Sequence, residues 1–143
     1  MRVFKWNAAH AVYLPEIDAE HRALYGTAGE LQQAIEGSAS AERILEILRG
    51  MLLAVEDHFG HEERLMQASN YLSFGWHKQQ HDSARKRLKQ FMEHVETGEQ
   101  DAAALLLEFM SSWMRDHIAV ADRMMGAYLR NYGRSHAGFA IAS

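Results

Sequence analysis

Cysteine is absent from all 143 residues. That excludes disulfide scaffolds, thiolate zinc sites, iron–sulfur clusters and cysteine nucleophiles. Proline occurs once and glycine ten times, which suits helices joined by short turns better than a β-sandwich. No excess of one charge stands out: 15 Lys+Arg face 19 Asp+Glu, a net charge of −4. A basic phosphate-binding footprint is therefore missing, and no nucleic-acid partner is expected. Long apolar runs are missing too. The longest, Ala102–Leu107, falls far short of the roughly 20 residues that span a bilayer. Met1 to Asn7 carries basic residues with no apolar run behind them, unlike a targeting signal. The expectation is a soluble cytoplasmic protein with no membrane partner. What is present is a hydrophobic share of 48% and a length that fits one domain with a core of its own. Nine histidines and eight methionines are the unusual entries.

Apolar spacing predicts an all-α fold: an N-terminal arm (1–15), four long helices and a short C-terminal tail (133–143), with the bundle domain spanning 1–132. Pro15 suits a helix entrance. Helix one places Ile17, His21, Leu24, Ala28, Leu31 and Ile35 at steps of three and four. Gly37 stops it and Ser40 caps helix two, whose stripe runs Ile44, Leu48, Met51, Leu52, Val55, Phe59, Glu62, Met66. A turn over 70–75 leads to helix three, from about Trp76 to Glu96, with His77, His81, Ala84, Leu88, Phe91 and Val95 inward. Helix four begins near Asp101, carries Leu105, Leu106, Phe109, Trp113, His117, Val120, Met124 and Tyr128, and stops at Gly133. Long helices with short connections favour an up-down-up-down antiparallel four-helix bundle.

Chemistry concentrates on the inner stripes. His58 and Glu62 lie four apart on helix two, and His77 and His81 four apart on helix three, so each pair can reach one ion. Helix one adds His21. Helix four adds His117 and Asp122, whose five-residue spacing turns them roughly 140° apart on an ideal helix. Two long reaches from the edges of the stripe would close that angle, and so would a local π-bulge. A lone inward histidine is more often a hydrogen-bonded core residue than a ligand. Five imidazoles and two carboxylates on the inner faces of four helices are a different matter. Buried without a partner, such groups cost about 1–3 kcal/mol each, and charges more. The set is too large for one tetrahedral zinc and suits two first-row ions bridged by carboxylates. His10, His61, His94 and His136 fall outside it and read as surface or loop residues. Lys78, Arg85, Lys86, Arg87 and Lys89 on helix three read as a solvated face.

These residues resemble the hemerythrin family, specifically its single-domain bacterial members, over nearly the whole chain from Trp6 to about Tyr132. The matching pieces are Trp6, Ile17-Asp18-x-x-His21-x-x-Leu24, His58-Phe59-x-x-Glu62-Glu63-x-x-Met66, Tyr71, His77-x-x-x-His81 and Trp113-x-x-x-His117-Ile118-x-x-x-Asp122. The resemblance implies a four-helix bundle around two non-haem iron ions with an oxo or hydroxo bridge. Glu62 and Asp122 would bridge the irons. His77, His81 and His117 would fill one iron, and His21 and His58 would hold the other, leaving one position open for O2 or another small exogenous ligand. By position, Leu24, Phe59, Trp113, Met114 and Ile118 would wall that ligand site. Three departures stand out. Leu72 replaces the family's usual Pro, the segment before Ile17 lacks the usual Gly, and Ala84 replaces a Phe usual three residues beyond the second helix-three His. Ala84 predicts a gap beside the centre unless Leu88, Met114 or Met125 fills it.

The function expected is reversible O2 binding for carriage, storage or sensing, and not enzymatic catalysis; no nucleophile is paired with a base on the inner stripe. A di-iron enzyme, or a peroxide- or NO-handling role at the same centre, is the alternative. A ferritin-like oxidase is disfavoured because its paired Glu-x-x-His motifs are missing. The common zinc-peptidase motif fails too, since His61-Glu62-Glu63-Arg64 ends in Leu65 and not His.

Overall fold

The computed structural model describes residues 5–141; the first four residues of the arm and the last two of the tail lie outside it. The described residues form helices α1 (Pro15–Glu36), α2 (Ala41–Ala68), α3 (Phe74–Glu96), α4 (Ala102–His117) and α5 (Arg123–Ser135). A π-helical stretch, Ile118–Asp122, joins α4 to α5 without a break. A single 3-10 turn, Ala8–His10, lies in the arm. Around the bundle α1 packs on α2 and α4, and α3 on α2 and α4. This is the up-down-up-down arrangement that short connections enforce.

Local chemistry sets the helix ends. Pro15 opens α1, where its missing N–H costs nothing. Ser40 Oγ accepts from Arg43 N at 3.1 Å and caps α2. Gly37 and Thr97 close α1 and α3. The core runs the length of the bundle and includes Ile17, Leu31, Leu48, Met51, Met66, Leu106, Met125 and Leu129. No helix among the described residues is long and apolar enough to cross a membrane.

The last helical segment departs from the regular spacing in two ways. Leu105, Val120 and Met124 are exposed rather than inward, and Leu107, Met110, Ala121, Met125 and Leu129 are buried in their place. On α4 Leu106 and His117 are buried as predicted and Phe109 and Trp113 partly so, while Leu107, Met110 and Met114 complete the stripe. Beyond it the π stretch adds a residue to the turn, which rotates every later position. The helix also runs through Gly133 to Ser135, because glycine lowers helix propensity without breaking the hydrogen-bond ladder.

The arm is fastened to the bundle. Val12 N donates to the buried Asp18 Oδ1 at 2.9 Å. The guanidinium of Arg130 donates to the Val12 carbonyl, and that of Arg123 to the Ala9 carbonyl. The arm crosses α5 at Gly126, where an added Cβ would lie 2.7 Å from the Val12 carbonyl oxygen.

Candidate metal centre

All seven candidate ligands come together between the four helices, and all are buried. Their donor atoms sort into two poles. At one pole His77 Nε2 and His81 Nε2 each lie 3.2 Å from Glu62 Oε1. His77 Nε2 and His117 Nε2 each lie 3.1 Å from Asp122 Oδ1. At the other pole His58 Nε2 lies 3.1 Å from Glu62 Oε2, and His21 Nε2 3.1 Å from Asp122 Oδ2. Each carboxylate turns one oxygen to each pole, with three imidazoles on one side and two on the other.

The five-residue step from His117 to Asp122 is closed by the π turn, in which Arg123 N–H donates to the Ile118 carbonyl five residues back. The widened turn carries Asp122 round to the same side as His117, so the bulge, and not two long reaches, resolves the spacing. Such bulges concentrate at functional sites.

Hydrogen bonding fixes where the lone pairs point. His81 Nδ1 donates to Glu63 Oε2 at 2.8 Å, His117 Nδ1 to Gln80 Oε1 at 2.8 Å, and His58 Nδ1 to Glu20 Oε1 at 2.6 Å. A neutral imidazole that donates from Nδ1 presents a bare lone pair at Nε2. Yet His81 Nε2 and His117 Nε2 approach to 3.2 Å, with His77 Nε2 3.0 Å from the latter. Glu62 Oε2 and both oxygens of Asp122 are buried without a hydrogen-bond partner. Lone pairs and orphaned carboxylate oxygens aimed at common points need positive charge among them. The donor set, nitrogen-rich with two carboxylates, fits first-row metal ions.

Protons are the substitute when no metal is bound. Burial works to lower the His58 pKa, but Glu62 and Glu20 outweigh it and push it up to about 10. His77 rises to about 9 for the same reason, burial being outweighed by Asp122 and Glu62. His21 also rises, held by Asp122 and Glu62 against its burial. In return Glu62 and Asp122 sit well below the usual carboxylate range despite burial, because imidazoles surround them.

Residues next to the ligands correct two sequence readings. His61 is not a surface residue: it is 2% exposed, with Nδ1 2.6 Å from Glu20 Oε2. The signal was present, since His58, His61, Glu62 and Leu65 follow the inward spacing i, i+3, i+4, i+7. Arg85 is not simply solvated either. Its guanidinium bonds Glu56, Glu63 and Asp82 at 2.8–3.0 Å and lies over the Phe59 ring. It therefore clamps Glu63, the partner of His81. Glu20, Glu63 and Gln80 escaped the sequence reading. Each stands beside a ligand in the chain, but nothing in the spacing says which Nδ1 it meets. The expected surface positions of His94 and His136 hold, and His10 lies half-buried in the arm.

Two of the predicted wall residues pack directly on candidate ligands. Phe59 stacks on His81 with centroids 4.0 Å apart, and Trp113 on His117 at 4.4 Å. Leu24, Met114 and Ile118 are buried. Ala84 is fully buried. A narrow void in the core, too tight for water, is lined by Leu24, Tyr25, Ala28, Met51, Val55, Met110, Ser111 and Met114. Ala84 is not part of that lining.

Residues 13–129 match the family model of the hemerythrin HHE cation-binding domain. The chain belongs to the hemerythrin family. It is 25% identical to a bacteriohemerythrin of Clostridium acetobutylicum, covering 85% of this chain and 97% of that protein. It is 24% identical to a bacteriohemerythrin of Ralstonia nicotianae over 93% of each chain. A hemerythrin of Siphonosoma cumanense is 29% identical over 83% of this chain and 88% of its own. The family match spans all seven candidate ligands and the π turn, so the hemerythrin fold and the cluster arise from one stretch of sequence.

Proposed function

We propose that this hemerythrin-family chain holds two non-haem irons and binds O2 reversibly, as a carrier, store or sensor and not as an enzyme. Glu62 and Asp122 would serve both ions, His77, His81 and His117 would hold one, and His21 and His58 the other, with room left there for a small ligand. The observation that carries this reading is the division of each carboxylate between two poles, one with three imidazoles and one with two. Two irons held there would supply the electron-transfer chemistry that reversible O2 binding needs.

The chain's own residues keep the exchange reversible. Phe59 and Trp113 stack on His81 and His117, and with the buried Leu24, Met114 and Ile118 they would supply apolar surface near the centre. Glu20, Glu63 and Gln80 hold the Nδ1 hydrogens of three ligands and so keep each Nε2 aimed inward.

The test is the absorption spectrum of iron-loaded protein, reduced without air and then cycled through O2 and inert gas. A visible band that appears with O2 and vanishes on its removal, at about two irons per chain, supports the reading. A bridged diferric spectrum that ignores O2 rejects reversible binding.

A further inference from the structure

Beyond α5 the chain folds back on the bundle. It turns at Gly138, whose φ is 93°. Phe139 N donates to the His136 carbonyl at 3.1 Å, and the Phe139 ring packs edge-on against Tyr132. The segment then delivers the Ile141 carbonyl to His61 Nε2 at 2.8 Å. The other ring nitrogen of His61 lies 2.6 Å from Glu20 Oε2, and Glu20 Oε1 lies 2.6 Å from His58 Nδ1. Three consecutive short contacts therefore join the C-terminal segment to a proposed iron ligand.

The two poles are held differently. At the three-imidazole pole Glu63 is clamped from within the bundle by Arg85. At the two-imidazole pole Glu20 is met by His61 where Glu63 has an arginine. It borders an open cleft of about 620 Å³ together with His58, His61 and Arg64. Its second oxygen is kept from turning to solvent by His61, and His61 is fixed on its far side by the tail carbonyl. A ligand imidazole takes its orientation from the partner on its other nitrogen.

We propose that residues 136–141 are a latch whose docking, relayed by His61 and Glu20, sets the orientation of His58 and so tunes the iron that carries the open position. This rests on the ligand set proposed above. Glu20 and His61 are positioning residues, and the latch makes the open site responsive to whatever displaces the tail.

The test uses iron-loaded protein with azide as the probe of the open position. The parent is compared with a chain lacking residues 138–143, with Phe139→Ala, with His61→Phe, and with the truncation and His61→Phe combined. Two quantities are read: the rate at which iron is lost to a chelator, and the position of the diferric azide absorption band. His61→Phe should speed loss of one of the two irons about tenfold, at the lower end of effects for residues that orient ligands. The truncation and Phe139→Ala should shift the azide band in the same direction, and the combined variant should be no worse than His61→Phe alone. A truncation that lowers Tm but leaves the band and the iron loss unchanged would make the tail mere packing and overturn the latch. Additive effects of truncation and His61→Phe would overturn it as well. A parent chain that takes up no iron would instead overturn the metal reading beneath it.

Discussion

At the scale of single residues, the two carboxylates carry more of the centre than any one imidazole. Glu62 offers one oxygen to each pole, whereas His21 meets only one. A bridging carboxylate serves both ions and offsets their mutual repulsion. Glu62→Ala is therefore expected to lose both irons, while His21→Ala retains at least the ion at the three-imidazole pole. Metal analysis of the two purified variants checks this, and two irons kept in Glu62→Ala would remove Glu62 from the bridge. The inward placement of the seven candidates was legible in the sequence because a side chain that enters the core has to share its stripe. Spacing alone put His58 with Glu62 and His77 with His81. The partners Glu20, Glu63 and Gln80 were not legible, since each acts across an interface between helices and not along one. His61 lay within reach of the same spacing argument, because it sits three residues after His58 and four before the buried Leu65.

At the scale of elements, the departure from regularity is what brings Asp122 to the same side as His117. Caps and stops at Pro15, Gly37, Ser40 and Thr97 follow from local chemistry and fall where the sequence places them. The π turn was readable only as one of two solutions to the His117–Asp122 spacing, because a widened turn has no composition of its own. Its consequence for Val120 and Met124 could not be read without choosing between them. The arm's path over α5 was not readable at all, since it depends on one glycine meeting a backbone carbonyl far away in the chain. That crossing is testable. An alanine Cβ at 126 would stand 2.7 Å from the Val12 oxygen and 3.1 Å from its Cβ. Helix propensity favours Gly→Ala by up to about 1 kcal/mol, but forcing the backbones apart costs typically about 1–3 kcal/mol. The clash involves backbone, so it wins. Gly126→Ala should lower the stability of the folded chain in a denaturant titration, whereas Gly50→Ala, whose Cβ meets nothing within 4 Å, should raise it. Equal gains at both positions would show that the arm does not press on α5.

At the scale of the whole molecule, four helices are held around a charged cluster that the fold by itself leaves unbalanced. In the metal-free chain the balance comes from protons. His58, raised to about 10, and His77, raised to about 9, stabilise the fold fully below the unfolded imidazole pKa of about 6.5. That contribution is lost as pH climbs through their folded values. Glu62 and Asp122, both depressed, contribute above the unfolded carboxylate range near 4 and lose their contribution as pH falls below it. The metal-free protein should thus be most stable between about pH 4.5 and 6.5, and weaken toward pH 9–10 as the buried carboxylates lose their counter-charges. Iron reverses the trend at the alkaline end. Ligation needs neutral imidazoles, so binding releases protons and tightens as pH rises, and a ligand that binds only the folded chain adds stability in proportion. The difference in Tm between iron-loaded and metal-free protein should therefore widen steadily from pH 6 to pH 9. Proton release on anaerobic loading with ferrous iron should be measurable in weak buffer at pH 7.5. Parallel melting curves, or loading without proton release, would mean that the imidazoles are already neutral in the metal-free fold and that the carboxylates are balanced in some other way.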